Sequence, residues 1–166
     1  VLKRTVGRLG EPVIRKAVRY AMKIMGTQFV MGRNIGEAVT RAVEQESKGY
    51  TYSYDMLGEG ARTMSDANRY FDAYVGAIHA IGKAAQNRGP QASPGISIKL
   101  SAIHPRYEFS HRERVLAELT PRLKELALLA KSYNIGFTVD AEEADRLDIS
   151  LDIIEAVFLD TDLDGW

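Results

Sequence analysis

Three stretches of this sequence alternate apolar with small or polar residues, and the polar face of each carries one charge. The faces read Thr51, Ser53, Asp55, then Ser97, Lys99, Ser101, then Gly136, Thr138, Asp140. If the three are parallel strands of a barrel, their apolar sides meet outer helices and these faces point inward. An aspartate, a lysine and an aspartate then converge at the C-terminal rim, where such barrels build active sites. A mouth of that kind holds an anion on the ammonium or moves protons on the carboxylates. Glu59 lies just beyond the first strand. Charges are seldom buried together without pairing or purpose, which favours chemistry. The plainer alternative makes Asp55 and Asp140 caps of the loops that follow them, and Lys99 their neutralising partner.

Other polar clusters point less firmly to a site. The run from Asp140 to Asp145 holds Glu142 and Glu143 as well and resembles a hard-metal site. No helical histidine pair or regular ligand spacing accompanies it, however, and carboxylates in the first turn of a helix are favoured by its dipole. No metal is expected. Of the three histidines, His79 falls within a helix, His111 opens one, and only His104 reaches the rim. The sequence has neither a glycine loop of the phosphate-cradling kind nor a nucleophile elbow. It has no cysteine, which excludes a disulfide framework, a thiolate metal site and a cysteine nucleophile.

The elements that must position these residues follow from hydrophobic period. A helix is predicted from Glu11 and Pro12, with proline at its first position, along Val13, Ile14, Ala17, Val18, Ala21, Ile24 and Met25 to Gly26. A second runs from Asn34, as cap, to Lys48, with Gly49 past its end. From Tyr50 the period becomes two, through Met56. Ser65 and Asp66 open a helix with the stripe Tyr70, Phe71, Tyr74, Ala77, Ile78 and Ile81, and the second strand covers Gly95 to Ser101. A long helix carries Val115, Leu116, Leu119, Leu123, Leu126, Ala130 and Tyr133, and Pro121 is expected to kink it or to restart it at Thr120. The third strand includes Phe137 and Val139, and the last helix runs from about Ala144 to Phe158. Strand starts 40 to 45 residues apart fit βαβ units with helical crossovers, hence an α/β fold with a parallel sheet.

With 166 residues and 22 basic against 22 acidic side chains, the composition is ordinary for a folded domain. Zero net charge offers no electrostatic footprint for a polyphosphate backbone, so nucleic acid is not an expected ligand. Apolar runs fall short of the ~18 residues of a membrane span and no signal-peptide core follows the N-terminus, so a cytoplasmic, soluble chain is expected. The first residue is Val1 and the last Trp166, which suggests a segment of something larger.

Three motifs carry a resemblance over nearly the whole chain: Tyr52 to Glu59 (YSYDMLGE), Gly95 to Tyr107 (GISIKLSAIHPRY) and Asp140 to Arg146 (DAEEADR). Together they resemble the proline dehydrogenase domain of the proline utilization A family, bifunctional flavoenzymes of proline catabolism. The resemblance implies a distorted (βα)8 barrel that binds FAD and oxidises L-proline to Δ1-pyrroline-5-carboxylate, with hydride passing from proline C5 to flavin N5 and electrons passed on to a membrane quinone. It assigns Lys99 to the proline carboxylate and Asp140 to the catalytic centre near substrate and flavin. Ala141 is the position whose backbone lies against the flavin. Glu59 resembles a loop glutamate that gates the substrate site, and Asp55 is its neighbour in substrate binding. By the same resemblance residues 1–48 are a helical arm, and residues 49–166 are the first three βα units of an incomplete barrel. The remaining barrel, or a swapped neighbour, is needed for closure, so the segment alone is expected to be inactive and free of flavin. An aldehyde dehydrogenase module and an N-terminal DNA-binding module are expected to be absent from it, and the parent enzyme to associate peripherally with the membrane during turnover. Two other readings of the same residues stay open: a Schiff-base lyase in which Lys99, its pKa lowered, attacks a carbonyl, and a non-catalytic interaction module with a buried salt-bridge network.

Overall fold

The computed structural model describes residues 2–166; Val1, with which the expected arm begins, lies outside them. Two units divide the chain, Val1–Glu44 and Gln45–Trp166. In the first, helix α1 spans Leu2–Phe29 and so extends past both predicted ends, with Pro12 inside the helix rather than at its start. An internal proline forfeits a backbone hydrogen bond and crowds the preceding turn. Helix α2 (Ile35–Glu46) starts where the sequence predicts, because the Asn34 side-chain oxygen accepts the Glu37 N–H at 3.0 Å. The Arg41 guanidinium donates to the carbonyls of Thr27, Val30 and Met31. It thereby satisfies acceptors that the end of α1 leaves without helical partners.

In the second unit, β1 (Ser53–Asp55), β2 (Gly95–Ile98) and β3 (Phe137–Val139) form a parallel sheet in the order β1-β2-β3. Register sets Asp55 opposite Ser97 and Ile98 opposite Val139. The crossovers are α3 (Met64–Ala85) and, after the short helix α4 (Leu100–Ile103), α5 (Arg112–Ser132); α6 (Leu147–Phe158) follows β3. One face of the sheet is covered by helices. There Ile96, Ile98 and Ile135 are buried with Tyr74, Ile78 and Ile81 of α3 and Leu119, Leu123 and Leu126 of α5. Each such side chain contributes about 1.5–3 kcal/mol by leaving water. Gly95 is required at the crossing of β2 and β3, since a Cβ there would lie 2.7 Å from the Gly136 carbonyl oxygen.

Several boundaries differ from the sequence expectation for physical reasons. The ladder takes only residues 53–55 of the alternation that begins at Tyr50, although Gly95 N–H still donates to the Tyr52 carbonyl at 2.8 Å. Helix α3 is capped two residues earlier than expected, by Thr63, whose hydroxyl accepts from Asp66 N–H while the Asp66 carboxylate accepts in return. The stripe shifts accordingly: Tyr74, Ala77, Ile78 and Ile81 are buried while Tyr70 and Phe71 are only half-buried. Helix α5 runs through Pro121 without a restart at Thr120. The largest correction concerns β2, which ends at Ile98, so that Ser101 lies in α4 and not on a strand face.

Candidate active site

The end of β2 is set from below. Lys99 is the last extended residue before α4, and its N–H donates to the Tyr74 phenol of α3 at 3.1 Å rather than to a neighbouring strand. Burial pushes that phenol up to about 12, a shift that the Lys99 N–H and ammonium only partly offset. Tyr74 therefore stays neutral and in place. Anchored there, the Lys99 side chain rises from the middle strand between two aspartates on its neighbours. Its Nζ donates to Asp55 at 2.7 Å and to Asp140 at 2.5 Å. Ser97, one alternation step below, donates its hydroxyl to the other Asp140 oxygen.

The three predicted strand charges thus meet in one cluster at the C-terminal end of the sheet. Lys99 is 13% exposed, Asp140 27% and Asp55 49%, so the cluster opens to solvent on the Asp55 side. Burial works against the Lys99 charge, but its hydrogen bonds to Asp140 and then Asp55 overcome it and hold the pKa above that of an ordinary lysine. Burial likewise raises Asp140, and the bonds from Lys99 and Ser97 more than offset it, so its pKa lies below the usual aspartate value. Both groups are charged across the physiological range. That corrects the Schiff-base alternative, which needs Lys99 with a lowered pKa and a free electron pair.

The remaining candidates are placed differently. Glu59 is exposed on the loop after β1, with no hydrogen bond or ion pair among the described residues, and stands outside the cluster. Ala141 is exposed in the irregular segment that follows β3. His104 is buried but turned to α5: its Nδ1 accepts the Arg106 N–H at 3.1 Å, which leaves Nε2 to donate to Glu118 at 3.0 Å. The run after Asp140 is not the first turn of a helix, since residues 141–143 are irregular and a 3-10 turn begins only at Ala144.

Glu142, which the sequence offers as part of an acidic metal-like cluster or as a first-turn acid, reaches back across the sheet end. Its carboxylate accepts the Ser101 N–H at 2.9 Å and the Ser101 hydroxyl. The available signal was its position two residues after Asp140, on the same alternation face as Thr138 and Asp140. Tyr74 was read only as part of a core stripe, because nothing in a helical period marks one phenol as a strand-end acceptor.

Known proteins resemble the chain over nearly its whole length. Residues 38–166 match the family model described as proline dehydrogenase, and residues 1–29 match one described as the DNA-binding domain of proline dehydrogenase. The bifunctional protein PutA of Klebsiella aerogenes is 56% identical over 165 residues, covering 99% of this chain and 13% of the relative. That of Rhizobium meliloti is 56% identical over 163 residues, again covering 13% of the relative. A crystal structure of Bradyrhizobium japonicum proline utilization A, 55% identical, superposes on 98% of this chain and 16% of its own with a TM-score of 0.76. The fold is also shared with the Bdellovibrio bacteriovorus protein inactivated by N-propargylglycine, at 16% identity and a TM-score of 0.83. The chain therefore spans about an eighth of the curated relatives it matches. The match over residues 1–29 corrects the expectation that nothing of a DNA-binding module is present. Those residues hold seven Lys or Arg and a single Glu, a basic excess that the zero net charge of the whole conceals.

Proposed function

The chain belongs to the proline dehydrogenase family, and on that premise we propose that its second unit is the first three βα units of a (βα)8 barrel oxidising L-proline to Δ1-pyrroline-5-carboxylate. The sequential parallel order supports the barrel, as does the outer edge of β3, beside which Phe137, Val139, Ile154, Val157 and Trp166 line an apolar groove. A further strand there would cover those residues and use the free edge.

The observation that carries the functional reading is a lysine held charged between two carboxylates at the C-terminal rim. An ammonium has three donors. Asp55 and Asp140 take two of those of Lys99, and the third is left for the substrate carboxylate, on a cation whose position and charge are already set. Asp140, both oxygens engaged by Ser97 and Lys99, is a fixed anion rather than a proton acceptor. Its charge suits the positive charge that grows on the proline nitrogen as the neighbouring C–H bond breaks. Glu59 and Asp55 would close the solvent side over the substrate.

The cofactor implied by the family is FAD, and the segment after β3 suits the edge of a flat ring. It is free of regular secondary structure, and Ala141 is exposed directly after the Asp140 anion. Asp140 and Ala141 would hold FAD there, and when bound it supplies the two-electron acceptor for the hydride. In this reading the electrons pass on to a quinone, and the parent enzyme is a cytoplasmic protein that contacts the membrane peripherally during turnover. Among the described residues no helix is long and apolar enough to cross a membrane.

The test is to purify the intact protein that contains this segment, add FAD, and follow proline-dependent reduction of a dye together with trapping of the imine product. Both signals are expected. The 166-residue chain alone is expected to carry no flavin absorption and to reduce no dye. Absence of proline-dependent reduction by the flavin-loaded intact protein would overturn the reading.

A further inference from the structure

Around the Lys99 cluster, one polar contact joins all three strand-to-helix loops and belongs to none of the groups assigned above. Ser101 is 4% exposed. Its N–H and hydroxyl donate to the Glu142 carboxylate in the loop after β3. Its hydroxyl oxygen accepts the Gly60 N–H at 3.1 Å, and its carbonyl oxygen accepts the Ala61 N–H at 2.9 Å. Gly60 and Ala61 directly follow Glu59. A single serine therefore fastens the loop after β1 on one side and the loop after β3 on the other. It does so two residues past Lys99, while Glu142 lies two residues past Asp140.

The chemistry of this tie is specific. Ser101 is the second residue of the short helix α4, and a buried N–H in a helix's first turn needs an acceptor from elsewhere. A carboxylate supplied from 41 residues away makes that bond charge-assisted and stronger than a neutral one. The hydroxyl proton is committed to Glu142, which turns the serine oxygen's lone pairs toward Gly60. Loss of the carboxylate therefore frees the hydroxyl to rotate and weakens the Gly60 contact as well.

We propose that Glu142 and Ser101 are positioning residues that buckle the Glu59 loop and the Asp140–Ala141 segment to the strand end bearing Lys99. The buckle sets how closely the rim closes over the substrate. The catalytic consequence rests on the proline-oxidising reading; the tie itself does not.

Both parts are separable by experiment on the intact protein. Glu142→Ala is expected to raise the proline KM roughly tenfold or more with a smaller change in kcat, because displacing a binding group by about an ångström costs that much. Amide hydrogen exchange at Gly60 is expected to accelerate in the same variant. Glu142→Gln keeps an acceptor for the Ser101 N–H and a donor for its hydroxyl oxygen, and is expected to stay within about threefold of the parent in KM, as a tie rather than a charge requires. Should Glu142→Ala fail to fold, Ser101→Ala removes only the hydroxyl and is expected to speed exchange at Gly60 more than at Ala61, whose acceptor is the backbone carbonyl. Unchanged exchange at Gly60 in either variant would overturn the buckle. Equal damage from Gln and Ala would overturn it in favour of a role for the Glu142 charge. If exchange responds as expected but the parent oxidises no proline, the functional reading fails and the tie stands.

Discussion

Two lysines in this chain each hold two aspartates, and they differ in almost everything else. Lys99 draws its partners from the strands on either side, while Lys124 on α5 takes Asp160 at 2.6 Å and Asp162 at 2.8 Å from one loop. Lys99 is 13% exposed and Lys124 30%. Around Lys99 burial is the largest influence and acts against its charge, whereas around Lys124 the hydrogen bonds dominate and burial is minor. Lys124 closes a loop. Lys99 is a largely buried cation whose charge is favoured against burial by two anions on the neighbouring strands, which suits the proposed role of a fixed, charged donor to an anionic substrate.

The sharpest way to break this contrast is to remove each ammonium in the intact, flavin-loaded enzyme. Lys99→Met is expected to raise the proline KM by one to two orders of magnitude, since a lost charged hydrogen bond costs about 1.5–3 kcal/mol and two aspartates are left facing each other. An unchanged KM would remove Lys99 from substrate binding.

The next largest effect is on pH dependence. The Asp140 pKa is depressed on folding, so its contribution is present above the ordinary value of 3.8 and is lost as pH falls through the depressed one. The Lys99 pKa is raised, so its contribution is present below the ordinary value of 10.5 and is lost as pH rises through the raised one. Proline affinity is therefore expected to be level from about pH 5 to 9, so far as these two groups govern it. A titration of KM centred within that window and abolished by Lys99→Met would contradict the paired assignment.

The smallest effect belongs to Lys124→Met. A partly exposed pair of this kind is screened by solvent and contributes little, so a small, salt-sensitive loss of stability with an unaltered KM is expected from denaturant melts and steady-state kinetics. A loss as large as that of Lys99→Met would erase the difference between the two sites.

What could be read in the sequence was local. Alternation at Tyr52 to Asp55, at Gly95 to Ile98 and at Phe137 to Val139 marked the strands, and the same parity put Asp55, Lys99 and Asp140 on matching faces. Strand ends were less legible. Residues 99–101 continue the alternation faultlessly, yet the chain leaves the sheet there because the Tyr74 phenol takes the Lys99 N–H. The start of α3 is set by the Thr63–Asp66 capping box, a local signal that the pair Ser65 and Asp66 masks, and α5 continues past Thr120 through Pro121 with Leu119 and Leu123 buried on either side. Neutral total charge hid the basic arm because composition averages over segments.

By itself, then, the sequence determined that three strands alternate with helices, though not where each ends, and that one charge at the end of each strand stands on the same side, since side-chain parity and helical period are properties of neighbouring residues. Tertiary structure alone decided that Lys99 is held charged rather than freed as a nucleophile. It also decided that Glu142 serves a helix beyond the adjacent strand and not its own. Those outcomes depend on hydrogen-bond partners 25 to 44 residues apart, which only the sheet register brings within reach of one another.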